Sequence, residues 1–552
     1  MQIIIPMSGF GERFRSSGYD IPKPLIEVDG KPIIEHVVEM FPGSTNFIFI
    51  CNEDHLNQSQ YKMKKILNTC CPNGKIVGIK AHKKGPVHAV LQAKKFIDCS
   101  EPSIVNYCDF ACYWDWDHFQ EFVKESDIHG AIPAYKGFHP HSLGDTKYAY
   151  VKEDSGLVLD IQEKKSFTQN SMNEYASSGT YFFKSGKLMI DCFEETIKKN
   201  INIAGEYYVS LAYKTLLEDG KKIGVYPLQH FMQWGTPDDL EEYQQWSNIF
   251  SSLISHNHQN NSFKSILIVP MAGLGKRFSN EGYKLPKPLI PVSGSPMSLQ
   301  AIKDLPSSSE NIFLLRKDLD MLDEIEQQLL TIKPNATIMK LEGPSDGQAS
   351  SAMYGINAIQ NKDIPLTIGA CDNGMLYNQK KLLDLMDNHD VDIIVWAIKG
   401  HKNAANNPKM YGWINSDHHG KINSVSVKTP IGNIKTDPII TGTFTFKKQY
   451  YFSDSVKAMK ARTGKINNEY YIDECINDAI SNGLNCYIFE IEHFLCWGTP
   501  VELMIYEYWQ SCFHKWSSHP YSLADDPRVL LNNFDELNDR FKKITPQALI
   551  GN

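Results

Sequence analysis

The 552-residue chain has no apolar stretch near the roughly 18 residues that a membrane-crossing helix needs. Met1 runs straight into an apolar segment, without the basic region and apolar core of an export signal. Basic charge is not in excess: 56 Lys and Arg stand against 64 Asp and Glu, a formal charge of -8. A nucleic-acid polymer or an anionic membrane would call for a basic face, so neither is expected as the main partner. The 12 cysteines include Cys70-Cys71 and Cys108 with Cys112, but no pair of CxxC elements. A chain this long needs no disulfide staples, so the cysteines are read as reduced thiols and structural zinc is not expected. These absences predict a cytosolic protein, not inserted in a membrane, that acts on small molecules.

Two phosphate-binding signatures are also missing. The GxxxxGK[ST] loop is absent from GFGERF, and the dinucleotide pattern would need a third glycine where Phe14 stands.

What the chain does have is a repeat. Residues 6–25, PMSGFGERFRSSGYDIPKPL, return at 270–289 as PMAGLGKRFSNEGYKLPKPL. The match extends further at nearly constant offset: Gly85 with Gly347 (262), Asp109 with Asp372 (263), and Gly179-Thr180 with Gly442-Thr443 (263). Glu206-Tyr207-Tyr208 pairs with Glu469-Tyr470-Tyr471, and WGTP at 234–237 with WGTP at 497–500. Length alone predicts two large domains, each able to bury a core. The boundaries read as 1–250 for the first, 251–264 for a polar linker, 265–510 for the second and 511–552 for a helical tail. Apolar runs and helical spacings alternate, which predicts a mainly parallel sheet with helices on both faces and ligands at the carboxyl ends of its strands.

Each repeated loop follows an apolar run, Ile3–Ile5 or Ile266–Val269, that reads as a buried strand ending in a glycine turn. Glycine lets the backbone N–H groups approach a phosphate, and Arg13 with Lys23, or Arg277 with Lys287, adds positive charge there. The strand, the GxGxR loop and the PKPL segment about ten residues later resemble the signature of nucleotide-sugar pyrophosphorylases, the sugar-phosphate nucleotidyltransferases. The residues that carry it are Gly9, Gly11, Arg13, Pro22, Lys23 and Pro24, and again Gly273, Gly275, Arg277, Pro286, Lys287 and Pro288. This form of the loop looks like the subgroup associated with bacterial surface polysaccharides.

The resemblance implies two tandem Rossmann-like (GT-A-like) α/β domains that transfer NMP from an NTP to a small phosphorylated acceptor and release pyrophosphate. It implies that Arg13, Lys23, Lys164, Arg277, Lys287 and Lys428 are catalytic. Met7, Ser8, Gly9, Gly11 and Gly85 would hold one nucleotide, and Met271, Ala272, Gly273, Gly275 and Gly347 another. Gly179, Glu206, Gly442 and Glu469 would meet the acceptor, and Asp109 and Asp372 would hold Mg²⁺; the competing reading of Asp109 is a cap on the helix expected at 115–123.

Three departures stand out. The family's second acidic metal ligand is replaced by Gln233 and Cys496. The EK element, Glu163-Lys164, becomes Val427-Lys428. The segment GPVHAV after Lys84 becomes GQASSA after Asp346, so the two copies are expected to differ in base preference or nucleotide binding. His139 and His141 have metal-like spacing but no third ligand, and read as polar loop residues. Alternative readings are a cytidylyltransferase for an alditol phosphate, phosphocholine or phosphonate, a GT-A glycosyltransferase, and one active domain beside a regulatory or assembly domain. A homo-oligomer is compatible with all of them.

Overall fold

The computed structural model describes residues 1–144, 147–255, 263–359 and 362–541. Half of the expected linker, 256–262, and the end of the chain, 542–552, lie outside the described residues. The chain divides into two compact units. The first comprises Met1–Asn248 with Tyr508–Pro520 and 539–541, and the second Ile249–Glu507 with Tyr521–Asn538. The helix Pro500–Lys515 runs through the boundary drawn at 510. Residues from 508 onward are thus shared out: Tyr508 donates to the Phe231 carbonyl (2.8 Å) in the first unit, and Arg528 grips Asp304 (2.9 Å) in the second.

Each unit is built on a mixed sheet. In the first, Lys75–Ile79, Phe47–Asn52, Gln2–Met7 and Ser103–Asn106 lie parallel in that order. Thr180–Phe183 follows antiparallel, then Gly130–Tyr135 and Ile223–Leu228. The second unit repeats the order with Thr337–Leu341, Ser308–Arg316, Phe263–Pro270, Leu366–Ile368, Ile439–Phe446, Ile393–Ile398 and Cys486–Glu490. The central strands are continuous apolar runs because helices cover both faces: Ile3, Ile4 and Ile5, like Ile266, Leu267 and Ile268, are at most 1% exposed. In each unit a two-stranded ribbon, Phe110–Tyr113 with His230–Gln233 or Asn373–Leu376 with His493–Cys496, stands beside the main sheet. Its first strand begins one residue after the aspartate that the sequence singles out.

Candidate nucleotide and acceptor site

Strand Gln2–Met7 ends in the glycine loop, and Gly11 adopts a left-handed φ of 66° where it caps the short helix Glu12–Ser16. Gly275 does the same at 64° before Lys276–Asn280. A side chain would strain that turn, and glycine avoids the strain. The turn sets Arg13 and Arg277 on the exposed side of the loop, where neither forms an ion pair among the described residues. PKPL forms a single 3-10 turn, Lys23–Leu25 or Lys287–Leu289, whose proline and leucine are buried and whose lysine is directed back at the loop.

Lys23 Nζ donates to Asp109 Oδ2 at 2.8 Å, and Lys287 Nζ to Asp372 Oδ2 at 2.5 Å. Burial pulls both ammonium groups down, but the facing carboxylates more than offset it, so both lysines end above the ordinary lysine value and stay charged. Asp109 does not cap the following helix; Asp115 does, accepting from the His118 N–H at 2.9 Å. The Asp109 carbonyl is held by the Trp234 N–H (2.9 Å), and the Asp372 carbonyl by the Trp497 N–H (3.1 Å). Both indoles are fully buried, so the WGTP turn anchors the aspartate.

Gly85 and Gly347 are required by a close approach of backbones. A Cβ on Gly85 would lie 2.7 Å from the Tyr207 backbone, and one on Gly347 would lie 2.4 Å from that of Tyr470. The Tyr207 N–H donates to Lys84 and the Tyr207 carbonyl accepts from Val87, which fixes the neighbouring Tyr208. Lys164 donates to the Tyr208 hydroxyl at 2.6 Å, and that hydroxyl donates to Glu206. Lys428, Tyr471 and Glu469 repeat the chain at 2.7 and 2.6 Å. Both lysines hold a left-handed φ, 58° and 60°, which is costly for a residue with a Cβ and is retained in both copies. The sequence placed Lys164 and Glu206 in one site and left Tyr208 and Tyr471 open between acceptor contact and core; each in fact bridges the lysine to the acid.

These residues line a cleft with two lobes. One, about 450 Å³, is bounded by the loop, Lys23, Gly85, Asp109 and Glu206. The other, about 510 Å³, is bounded by Lys164, Glu163, Gly179, Tyr148 and Gln233. Arg13, Tyr107, Asp109, Tyr208 and Gly235 line both, so Arg13 stands where the lobes join, with Lys23 in one lobe and Lys164 in the other. In the second unit a cleft of about 590 Å³ is lined by Met271, Ala272, Gly273, Gly275, Arg277, Lys287, Gly347, Asp372, Glu469 and Tyr471. Ser8 and Gly9 line the first cleft, whereas Met7 is buried in the core and does not. Gly442 shares the left-handed backbone of Gly179, 83° against 96°.

The metal position differs between the units. The Gln233 amide nitrogen donates to Asp239, which turns the amide oxygen the other way; that oxygen is buried and has no hydrogen-bond partner among the described residues. An orphaned neutral oxygen beside the Asp109 carboxylate fits a hard cation that takes one or two protein oxygens and otherwise phosphate and water. In the second unit the Cys496 thiol is pushed well up by burial and by Glu502, so it remains protonated. A protonated thiol is a poor partner for magnesium, so Cys496 gives Asp372 no counterpart of the Gln233 oxygen. Among the described residues no three His, Cys, Asp or Glu side chains converge as a metal site. Asp239 and Glu502 were missed in the sequence. Their signal was a capping pattern, Thr236-x-x-Asp239 and Thr499-x-x-Glu502, and the N–H of each acid donates to its threonine hydroxyl at 3.2 Å.

His139 and His141 are not polar loop residues. His139 is 0% exposed and stacks among Tyr135 and Tyr508, while His141 meets the Tyr135 hydroxyl at 2.9 Å. Burial pushes the His139 pKa down to about 3 and that of His141 well below the ordinary value.

Comparison with known proteins agrees with this geometry. The nucleotidyl transferase family model matches residues 2–245 and again 266–510. The chain is 27% identical over 243 residues to the bifunctional protein GlmU of Methanocaldococcus jannaschii, covering 44% of this chain and 53% of that one. It is 22% identical over 301 residues to the mannose-1-phosphate guanylyltransferase catalytic subunit beta of Xenopus tropicalis, covering 50% and 74%. The chain spans about half the length of the GlmU relatives it matches. Among solved structures, a nucleoside-diphosphate-sugar pyrophosphorylase from Vibrio cholerae RC9 matches at 20% identity and TM-score 0.37, covering 44% of this chain and 99% of that one. The inositol-1-phosphate CTP transferase from T. maritima matches at 14% and 0.36, covering 45% and 95%. In both of its halves, the chain belongs to the nucleotidyl transferase family.

Proposed function

We propose that the chain is a tandem nucleotidyltransferase that joins the NMP of a nucleoside triphosphate to a phosphorylated sugar or related small polyol, releasing pyrophosphate. The observation that carries this reading is the cationic cleft of the first half, a glycine loop with Arg13 and Lys23 on one side and Lys164 held by Tyr208 on the other, together with the repeat of the loop, Arg277, Lys287 and the Lys428–Tyr471 pair in the second. The nucleotide phosphates lie on the loop and Arg13; the acceptor phosphate lies against Lys164.

An acceptor phosphate oxygen, already ionised near neutral pH, attacks the α-phosphorus. The new P–O bond forms as the bond to the pyrophosphate oxygen breaks, so no general base is needed. The work is to hold two anions in line and offset the charge that grows on the leaving group. Two negative groups about 4 Å apart repel by ~4 kcal/mol at an effective dielectric near 20, and Arg13, Lys23 and Lys164 are the side chains placed against that repulsion. Asp109 and the Gln233 amide oxygen are the residues that would hold Mg²⁺ in the first half, where the ion would neutralise phosphate charge. Asp372 would do so alone in the second.

The product would be an activated precursor, and the loop subgroup favours surface polysaccharide synthesis in the cytosol. The different surroundings of Gly85 and Gly347, with Pro86 and Ala89 against Gln348 and Ser351, favour a second statement: the halves take different nucleotides or acceptors. The test is a screen of the four common NTPs against sugar 1-phosphates, alditol phosphates and phosphocholine, read as pyrophosphate, with wild type, Lys23→Ala and Lys287→Ala. Turnover with a phosphorylated acceptor is expected. Hydrolysis without an acceptor, or no pyrophosphate from any pair, would overturn the reading.

A further inference from the structure

Val427 stands where the first half has Glu163, which in sequence reads as the loss of the acid beside the acceptor lysine. We propose that the second half supplies that acid from another element, and that Asp473 is its acceptor-recognising carboxylate. This rests on the nucleotidyltransferase reading above and deepens it.

In the first half Glu163 ends strand Leu157–Glu163, opposite Ala149. Its carboxylate accepts from the Ser210 hydroxyl at 2.6 Å, and it lines the acceptor lobe with Lys164. Three coordinated replacements separate the halves: Glu163 to Val427, Ser210 to Asp473 and Ala149 to Gly412. Gly412 lies opposite Val427 as Ala149 lies opposite Glu163. A Cβ on Gly412 would sit 2.2 Å from Asp473 Oδ2, so the carboxylate fills the space of the Ala149 methyl. The acid has moved from the strand to the first turn of helix Ile472–Ser481 and still lies against the same pair of strands.

Its electrostatic neighbours are also the same. Glu163 acts on Lys164 and Tyr208, and Asp473 on Lys428 and Tyr471. Unlike Glu163, Asp473 receives no hydrogen bond from another side chain among the described residues. Burial therefore pushes its pKa up to about 6, with Glu474 adding to the rise and its own backbone N–H and Lys428 opposing it. A half-buried carboxylate without a side-chain donor is stabilised by a ligand that brings one. That ligand is an acceptor with a hydroxyl or ammonium near its phosphate. An acid that merely served the helix dipole would not require a glycine on the neighbouring strand. Because the two carboxylates differ in length and direction of approach, the halves select different acceptors.

The experiment uses the full chain carrying Lys23→Ala, which isolates the second half, and measures pyrophosphate release across the acceptor panel. Asp473→Asn is expected to lower acceptor kcat/KM about tenfold or more while the NTP KM is unchanged. Asp473→Ser combined with Val427→Glu and Gly412→Ala rebuilds the first-half arrangement and guards against a folding artefact. It is expected to turn over with the acceptor preference of the Lys287→Ala protein. The proposal is overturned if Asp473→Asn leaves acceptor kcat/KM within about twofold, or if the rebuilt protein keeps its original preference. It is also overturned if the Lys23→Ala protein turns over no acceptor while the Lys287→Ala protein does, a result that leaves the first half a nucleotidyltransferase. Silence in both proteins overturns the functional reading itself.

Discussion

Asp109 and Asp372 occupy the same position in the two units, each held by a PKPL lysine and by the N–H of a buried tryptophan, yet the residue across the ribbon is Gln233 in one and Cys496 in the other. The same contrast recurs at the acceptor end, where the lysine, tyrosine and acid of the relay are kept and the carboxylate beside them changes its element of origin. The cationic side chains are held fixed, and the residues proposed to meet a base, an acceptor or a metal have drifted. Any phosphate-transfer site needs cations at the junction, whereas each substrate pair needs its own set of neutral and acidic contacts.

The comparison can be broken first at its shared part. Lys23→Ala and Lys287→Ala should each cost about 2.7–4 kcal/mol of transition-state stabilisation in their own half, by analogy with removal of an electrostatic donor. Initial rates with substrates specific to each half would show this. Two independent sites predict that each variant spares the other half; loss of both activities from one variant would mean coupling.

A smaller effect separates the units in acid. The first unit buries His139, His141 and His230 in neutral form, whereas the second has His401, with a pKa lowered to about 4. A base whose folded pKa is depressed stabilises the fold above its unfolded value, and that contribution is lost as pH falls below about 6.5 towards the folded value. For His139 and His401 this comes to about 2 kcal/mol each at pH 5, as 1.36 kcal/mol per unit over the 1.5 units below 6.5, and His141 and His230 act in the same direction. The first unit should therefore unfold at higher pH than the second. Fluorescence or hydrogen exchange resolved by unit, followed from pH 7 to 4, would check the order. His139→Phe should raise the acid stability of the first unit alone.

The smallest effect is at the metal position. Cys496→Gln should tighten Mg²⁺ binding at the second site roughly tenfold in the presence of NTP, and Gln233→Cys should weaken the first by a similar factor. Calorimetric titration of Mg²⁺ reads this without turnover. Asp239→Asn, which frees the Gln233 amide to turn, should weaken the first site in the same direction.

Much of the candidate site was legible because it is duplicated: the loops, Lys23 and Lys287, and Asp109 and Asp372 all follow from two copies at nearly constant offset. What was not legible depends on contacts between distant segments. The left-handed backbone of Lys164 and Lys428 has no sequence marker, and Tyr208 stayed open between acceptor contact and core because a hydroxyl partner 44 residues away is invisible in one dimension. The pairing of Ser210 with Asp473 was present in the offset, but its meaning needed the position of Gly412 across the strand. The histidines of GFHPHS looked like loop residues because nothing local signals that Tyr135, Tyr148 and Phe231 close over them.

The central claim is that each half holds a complete cradle for a triphosphate. Counting nucleoside triphosphate bound per chain, by calorimetry with each common NTP, tests it most directly. The account predicts two sites per chain in total, one weakened by Lys23→Ala and the other by Lys287→Ala. One site or none across all four nucleotides, or two sites indifferent to both substitutions, would contradict it.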